Sequence, residues 1–208
     1  MNSLKTYLVQ QLQFELPGKI AHQEAAPYRK VDYDQLDLNT VKKSGVLLLF
    51  YHKNNEPHFV LIQRPEYPGA HSGQIALPGG KVEESDKDIV HTALREANEE
   101  VGVLTADVEV IGQLSNVYIP VSNFLVTPVI GIIDYYPDFV PEEKEVAEII
   151  ELKLSQLTTI EKLGLNKIRL STGMQLQVPA FEFNQKIVWG ATALMLNEMR
   201  YMLRNYGG

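Results

Sequence analysis

The sequence predicts an α/β fold in which helices pack on a mixed β-sheet. Apolar runs typical of strands are interspersed with amphipathic helical segments along the 208 residues, and hairpins are among them. No strand–helix–strand alternation is sustained, so a doubly wound nucleotide-binding fold is disfavoured. The composition, 45% hydrophobic and 22% charged, is that of an ordinary globular protein with one substantial domain.

The chain is expected to divide into an N-terminal helical extension with a loop (1–40) and a main domain (41–208). Leucines recur at helical spacing over 3–14, and the Leu-Pro-Gly at 16–18 ends that helix. Residues 19–40 are polar and show no periodic pattern, which predicts a loop on the surface. The extension is a candidate surface for contacts in a homodimer.

The main domain begins with two apolar runs, 45–52 and 58–64, joined by an Asn-containing turn that is typical of a hairpin. A loop is expected at 65–74, and a second hairpin is predicted about Asn184 and Gln185. The other predicted elements, in chain order, are a strand at 75–77, a helix at 86–101, strands at 108–119, 124–134 and 146–154, a helix at 155–163 that Ser155 caps, and a helix at 191–205.

The helix at 86–101 carries the most informative pattern. Ser85 is a candidate N-cap with Asp88 as its reciprocal partner, and Gly102 supplies a left-handed end. At 100° per residue the predicted buried stripe consists of Val90, Leu94, Ala97 and Val101.

An acidic arc lies opposite that stripe and consists of Arg95, Glu96, Glu99 and Glu100. Like charges one turn apart destabilise a helix, and a cation held between them reverses the sign of that effect. Oxygen-only ligands suit Mg²⁺ or Mn²⁺ better than zinc. The glycine pair just upstream, Gly79 and Gly80, lets backbone carbonyls and a phosphate come close to such an ion.

A solvated acidic face with a simple Arg95–Glu99 pair is the alternative interpretation. The order of features favours a metal site: a strand, Pro-Gly-Gly, an acidic loop, a capped helix, Arg-Glu-x-x-Glu-Glu and a glycine.

This segment resembles the Nudix box, the signature of hydrolases that split nucleoside diphosphates linked to another group. The positions that match are Gly80, Arg95, Glu96, Ala97, Glu99, Glu100 and Gly102. Eight residues instead of seven separate Asp86 from Arg95, and the early acid is Asp instead of Glu. Because the insertion precedes the helical carboxylates, it should not disturb them.

The lengthened box resembles the coenzyme A pyrophosphatase branch of that family. The branch has an upstream signature that here reads LIQRPEYPGAHSGQIALPGG (61–80). Two positions depart: Gly69 stands where the branch commonly has Arg, and Leu77 replaces Phe. The missing arginine leaves the substrate open. The segment IVWGATA (187–193) also resembles the start of the branch's last helix.

The resemblance implies a Nudix-type α/β/α sandwich and metal-dependent hydrolysis of a diphosphate bond. The expected substrate is coenzyme A or an acyl derivative, cut to 3′,5′-ADP and 4′-phosphopantetheine. The expected ligands of Mg²⁺ or Mn²⁺ are Glu96, Glu99, Glu100 and a Gly80 carbonyl. Glu96 and Arg95 are expected to be catalytic, with Arg95 orienting its carboxylate neighbours.

A later loop supplies candidates for the general base. Glu145 is the first choice and Glu148 the second, although an exposed acidic loop without a role explains either residue. Arg64, His71 and Gly79 are the expected substrate-binding residues. A surface ion pair for Arg64 and a structural hydrogen bond for His71 remain open.

Two other functions stay open at this point. One is hydrolysis of another nucleotide, such as ADP-ribose, a dinucleotide or a noncanonical nucleoside triphosphate. The other is a catalytically silent ligand sensor, which is disfavoured because such domains usually lose box carboxylates and this chain keeps all of them.

The charge and composition exclude several classes. A net charge of −7 disfavours nucleic acid and anionic membranes as partners. The partner that the resemblance implies is a small nucleotide substrate. The absence of cysteine rules out disulfides, thiolate metal sites and a cysteine nucleophile. Without a signal-like or membrane-spanning apolar run, a cytoplasmic location is expected.

Overall fold

The computed structural model describes residues 1–69, 71–169 and 173–207. Within that part the helices are α1 (Asn2–Gln11), α2 (Gly18–Ala25), α3 (Ile89–Val101), α4 (Leu154–Thr158) and α5 (Gly190–Met202). The strands are β1 (Lys42–Lys53), β2 (Glu56–Gln63), β3 (Ile75–Ala76), β4 (Gly79–Lys81), β5 (Glu109–Gln113), β6 (Val117–Ile119), β7 (Phe124–Ile132), β8 (Glu148–Lys153), β9 (Gly164–Arg169), β10 (Gln175–Phe183) and β11 (Lys186–Val188).

The main sheet is mixed, as predicted, because β1 pairs antiparallel with β2 and parallel with β7. Its central order is β3-β2-β1-β7-β5, with β8 on β2, β6 on β7 and β4 on the start of β1. A smaller antiparallel sheet has the order β11-β10-β9.

Helices cover both faces of the main sheet. Successive side chains of β1 point to opposite faces, so Leu47 and Leu49 pack with α3 while Leu48 and Phe50 pack with α1 and α5. Burial on both faces explains why this strand is continuously apolar instead of alternating. The predicted α/β/α sandwich is therefore confirmed.

Both predicted hairpins are confirmed, at β1–β2 and β10–β11. Each turns through two polar residues with positive φ, Asn54 with Asn55 and Asn184 with Gln185. Residue 70 of the loop predicted at 65–74 lies outside the described residues. The other residues of that segment form neither helix nor strand, as predicted. None of the helices in the described ranges is long and apolar enough to cross a bilayer.

Several local predictions are wrong. The surface loop predicted at 19–40 begins with a helix, α2, which buries Ala21 and Ala25 against α5. Ser155 is not an N-cap, because α4 begins at Leu154. The single strand predicted at 108–119 is two strands, β5 and β6. Strand β9 is absent from the prediction, because its side chains are mostly exposed and it lacks the apolar pattern by which a strand is recognised.

Candidate functional site

Helix α3 begins later than predicted. The carboxylate of Asp88 accepts the backbone N–H of His91 at 2.8 Å, so Asp88 is the N-cap and the prediction for Ser85 is wrong. At the other end Gly102 adopts φ 74°, the left-handed conformation predicted for it.

The helix lies directly on β1. A Cβ at Gly45 would stand 2.6 Å from the carbonyl oxygen of Ile89, so a side chain there would push the helix away. Ala97 and Val101 are buried as predicted, and Val90 and Leu94 are half-buried. The face buried against the sheet is wider than the predicted stripe and also includes Thr92, Ala93 and Glu100.

Arg95 joins four carboxylate contacts into one network. Its Nε and Nη2 donate to the two oxygens of Asp86 at 3.0 and 2.9 Å. Its Nη1 donates to Glu96 Oε1 and to Glu99 Oε2, each at 2.9 Å. The guanidinium therefore fixes the orientation of both glutamates relative to the loop that precedes the helix.

Asp86 is fully covered by its own donors and has no exposed side-chain area (0%). Besides Arg95 it accepts hydrogen bonds from Thr92 Oγ1 and the Glu83 N–H, and it contacts His91 Nδ1 at 2.8 Å. The Arg95 hydrogen bonds, ahead of the other donors, hold the pKa of this carboxyl well below its usual range. Sequence reasoning gave Asp86 no role of its own, although its position as the early acid of the box was the available signal.

Glu100 is buried, and among the described residues a single hydrogen-bond donor reaches its carboxylate. Only 2% of the residue is exposed, and Oε2 accepts the Gly79 N–H at 2.7 Å. Burial raises the pKa of this carboxyl to about 8; the Gly79 hydrogen bond and the Arg64 charge lower it, and the charges of Glu96 and Glu145 raise it. Glu100 is therefore buried, although the sequence predicts it on the arc opposite the buried stripe.

The glycine pair brings β4 against these carboxylates. A Cβ at Gly80 would collide with the carboxylate of Glu96, and a Cβ at Gly79 (φ 153°) would stand 2.5 Å from the Cα of Val46. Burial raises the pKa of Glu96 despite its bond to Arg95. Glu99, with 54% of its side chain exposed, remains at the solvent side.

The donor set fits a hard divalent cation. Within the described ranges, no three acidic or histidine side chains already converge as a metal-binding group, and Arg95 bridges Glu96 and Glu99. The available donors are nevertheless all oxygens, and the Gly80 backbone lies against the Glu96 carboxylate. Burial beside other carboxylates raises the pKa of Glu96 and Glu100, and a divalent cation would relieve that repulsion.

The acidic loop at 141–147 is tied to both sides of the site. The Glu142 N–H donates to the Glu100 carbonyl at 3.0 Å, and the Ala147 N–H donates to the Gln63 carbonyl at 2.8 Å. Glu145 lies between these two anchors, is exposed, and is close enough to raise the pKa of Glu100. Glu148, the other candidate, forms an ion pair with Lys186.

Arg64 lies close enough to Glu100 for its charge to act on that carboxylate, whereas the contacts of His71 run elsewhere. Arg64 Nε is buried and donates to no acceptor among the described residues, and the Arg64 charge lowers the pKa of Glu100. His71 contacts Gln74 Oε1 at 3.1 Å and Ser122 Oγ at 3.4 Å. The structure thus brings the Arg64 charge near Glu100, while His71 contacts Gln74 of its own loop and Ser122 of another.

Two further histidines lie away from the box and are engaged by neighbouring groups. His58 is buried, because β2 carries it into the sheet, and its Nδ1 is 2.9 Å from the Glu56 carbonyl. His22 is partly buried and lies 2.9 Å from Glu198.

An arginine-organised acidic helix beside a glycine pair, on a mixed sheet covered on both faces, defines a pyrophosphohydrolase of the Nudix class. The profile described as NUDIX domain matches residues 41–169, more than half of the chain. The chain belongs to the Nudix family.

Curated relatives share this assignment without a defined substrate. The "Uncharacterized Nudix hydrolase NudL" of Pectobacterium atrosepticum is 36% identical over 146 residues, covering 69% of this chain and 73% of that protein. The NudL protein of Enterobacter sp. is 33% identical over 158 residues, covering 76% of this chain and 81% of that protein.

Solved structures support the fold alone. The Nudix hydrolase RenU from M. smegmatis aligns with a TM-score of 0.55 at 18% identity, covering 80% of this chain and 88% of that one. A MutT/nudix family protein from Enterococcus faecalis aligns with a TM-score of 0.52 at 18% identity, covering 92% and 75%.

Proposed function

We propose that this Nudix hydrolase cleaves the diphosphate bond of coenzyme A or an acyl derivative, releasing 3′,5′-ADP and (acyl-)4′-phosphopantetheine. The observation that carries the proposal is the convergence of two sequence motifs on one carboxylate. Glu100 belongs to the box, while Gly79, which hydrogen-bonds it, and Arg64, whose charge acts on it, belong to the upstream segment 61–80. The upstream segment is the part that resembles the coenzyme A branch.

Glu96, Glu99, Glu100 and the Gly80 carbonyl are the proposed ligands of Mg²⁺ or Mn²⁺; hydrolases of the Nudix family generally use divalent metal ions. When bound, such an ion supplies neutralisation of the diphosphate oxygens and of the leaving phosphate. Arg95 keeps two of these carboxylates in place through its 2.9 Å hydrogen bonds.

The chain's own groups then perform the proton and phosphate steps. Glu145 accepts the proton of the attacking water, whose oxygen forms the new bond to phosphorus as the bridging P–O bond breaks. Glu145 is exposed and therefore accessible to a water molecule, whereas Glu148 is engaged by Lys186. Arg64, whose buried Nε has no acceptor among the described residues, contacts a phosphate oxygen, and Gly79 leaves room for that phosphate.

A substrate panel with product identification by mass tests the proposal. We expect coenzyme A or an acyl derivative, with Mg²⁺ or Mn²⁺, to yield both named products, and excess chelator to abolish the reaction. Glu96→Gln protein, purified identically, controls for a contaminating hydrolase. Cleavage of ADP-ribose, dinucleotides or nucleoside triphosphates with coenzyme A left intact would replace the proposed substrate. Full activity in chelator would contradict the metal requirement.

A further inference from the structure

A cavity of about 220 Å³ lies apart from the box carboxylates, between the N-terminal extension and the smaller sheet. Residues 25–29 form one wall, residues 177–179 of β10 form a second, and Trp189 and Gly190 form the third. Most of the exposed lining is apolar, from alanine, proline, valine and the two aromatic side chains.

The wall contributed by the extension is fixed by buried polar groups of α5. Asn197 Nδ2 donates to the Ala21 carbonyl at 2.7 Å, and Arg200 Nη2 donates to Glu24 Oε2 at 2.8 Å. Because α2 is tied down immediately before residue 25, the cavity is a preformed feature of the fold.

The charge of the lining is opposite to that of the protein. The chain carries a net charge of −7, yet the described lining residues include Arg29 and no acidic side chain. The Arg29 guanidinium donates to the Tyr118 carbonyl and forms no ion pair with the described part of the chain. An indole and an arginine that line the same cavity suit a planar base that carries a phosphate.

Arg29, on the wall of the cavity, is connected to the box through a row of paired strands. Gly80 pairs with Gly45, Gly45 pairs with Thr127, and Thr127 Oγ1 donates to Asn116, two residues before the Tyr118 that Arg29 contacts. At the usual spacing between strands, the distance across this row from Gly80 to the segment that carries Tyr118 is about 10–15 Å. That distance is comparable with the length of an extended nucleotide.

We propose that the cavity receives the phosphorylated nucleoside end of the substrate, with the base against Trp189 and its phosphate on Arg29. This inference rests on the proposed function in naming the nucleotide half of a coenzyme A-like diphosphate as the occupant. It assigns substrate recognition to residues 25–29, outside the segment that matches the family profile.

Tryptophan fluorescence tests the proposal without turnover, because Trp189 is the single tryptophan. In chelator, 3′,5′-ADP is expected to change the emission saturably, whereas ribose 5-phosphate and 4′-phosphopantetheine do not. Arg29→Gln should weaken 3′,5′-ADP binding about tenfold, Arg29→Lys should restore part of it, and Lys30→Gln, the neighbouring exposed cation, should leave it unchanged. Thermal unfolding of each variant confirms that it is folded.

An unchanged emission, or equal binding by Arg29→Gln and wild type, overturns the proposal. A response to 4′-phosphopantetheine but not to 3′,5′-ADP assigns the cavity to the pantetheine arm and overturns it as well. Since the titration needs no catalysis, a protein that binds 3′,5′-ADP but leaves coenzyme A intact refutes the proposed function alone. In steady state, Arg29→Gln should raise KM for the cleaved substrate while kcat stays the same.

Discussion

Asp86, ahead of α3, and Glu100, in the last turn of that helix, are both buried carboxylates, yet their surroundings are opposite. Asp86 receives charged and neutral donors on both oxygens, and its pKa is held well below the usual range. Glu100 accepts from one donor within the described part of the chain, and burial raises its pKa to about 8. A carboxylate saturated by donors stabilises the fold, whereas one that is left short of donors is poised to bind something else.

The largest effect on activity is expected from substitution of Glu145, the exposed acid whose charge raises the pKa of Glu100. Glu145→Gln should lower kcat by about 10²–10⁴-fold, because it removes the proposed base without disturbing a buried contact. Steady-state kinetics with Glu143→Gln as a matched loop control measures this. Wild-type turnover by Glu145→Gln, or a loss confined to Glu148→Gln, would move the base elsewhere.

Glu100→Gln tests the role of the buried carboxylate that has few hydrogen-bond donors. The amide oxygen can still accept the Gly79 N–H, so we expect an unchanged or higher Tm together with a loss of activity of at least about 100-fold. Combined thermal unfolding and kinetics would separate the two readouts. A lower Tm, or full activity, would place Glu100 with Asp86 among the structural carboxylates.

Asp86→Asn tests the role of the carboxylate that receives hydrogen bonds on both oxygens. Removing the charge leaves Arg95 without its bidentate partner, and the free energy of unfolding should fall by about 2–4 kcal/mol. Urea unfolding measures this, with Glu84→Gln, an exposed acid of the same loop, as control. An unchanged midpoint would show that Glu96 and Glu99 alone hold Arg95.

The smallest effect concerns pH. Because the pKa of Glu100 is raised from 4.5 to about 8, the folded protein binds more protons than the unfolded chain between these values. The metal-free protein should therefore lose about 1–3 kcal/mol of stability as pH rises through this window. Asp86, with a lowered pKa, acts in the opposite direction and only under more acidic conditions, below about pH 4.

Urea unfolding in chelator from pH 5 to 8 measures this slope. Glu100→Gln should flatten most of it, with Glu96, whose pKa is also raised, contributing the rest. Stability that rises with pH in this range would contradict the assigned burial of Glu100.

Features with a local cause were predictable from the sequence. Both hairpins follow from short polar turns, the end of α3 follows from Gly102, and the box carboxylates follow from their spacing on one helix. These depend on residues close together in the chain, so pattern reasoning reaches them. The same reasoning failed at α2 and β9, whose sequence patterns are weak.

The sequence alone thus determined the family, the acidic helix and the glycine pair beside it. Tertiary structure decided that Glu100 is buried, that Asp86 is saturated, and that residues 25–29 wall a cavity with Trp189. Burial and donor count depend on which distant segments pack around a group. The residues adjacent to a carboxylate in the sequence therefore do not determine which groups surround it in the fold, or its pKa.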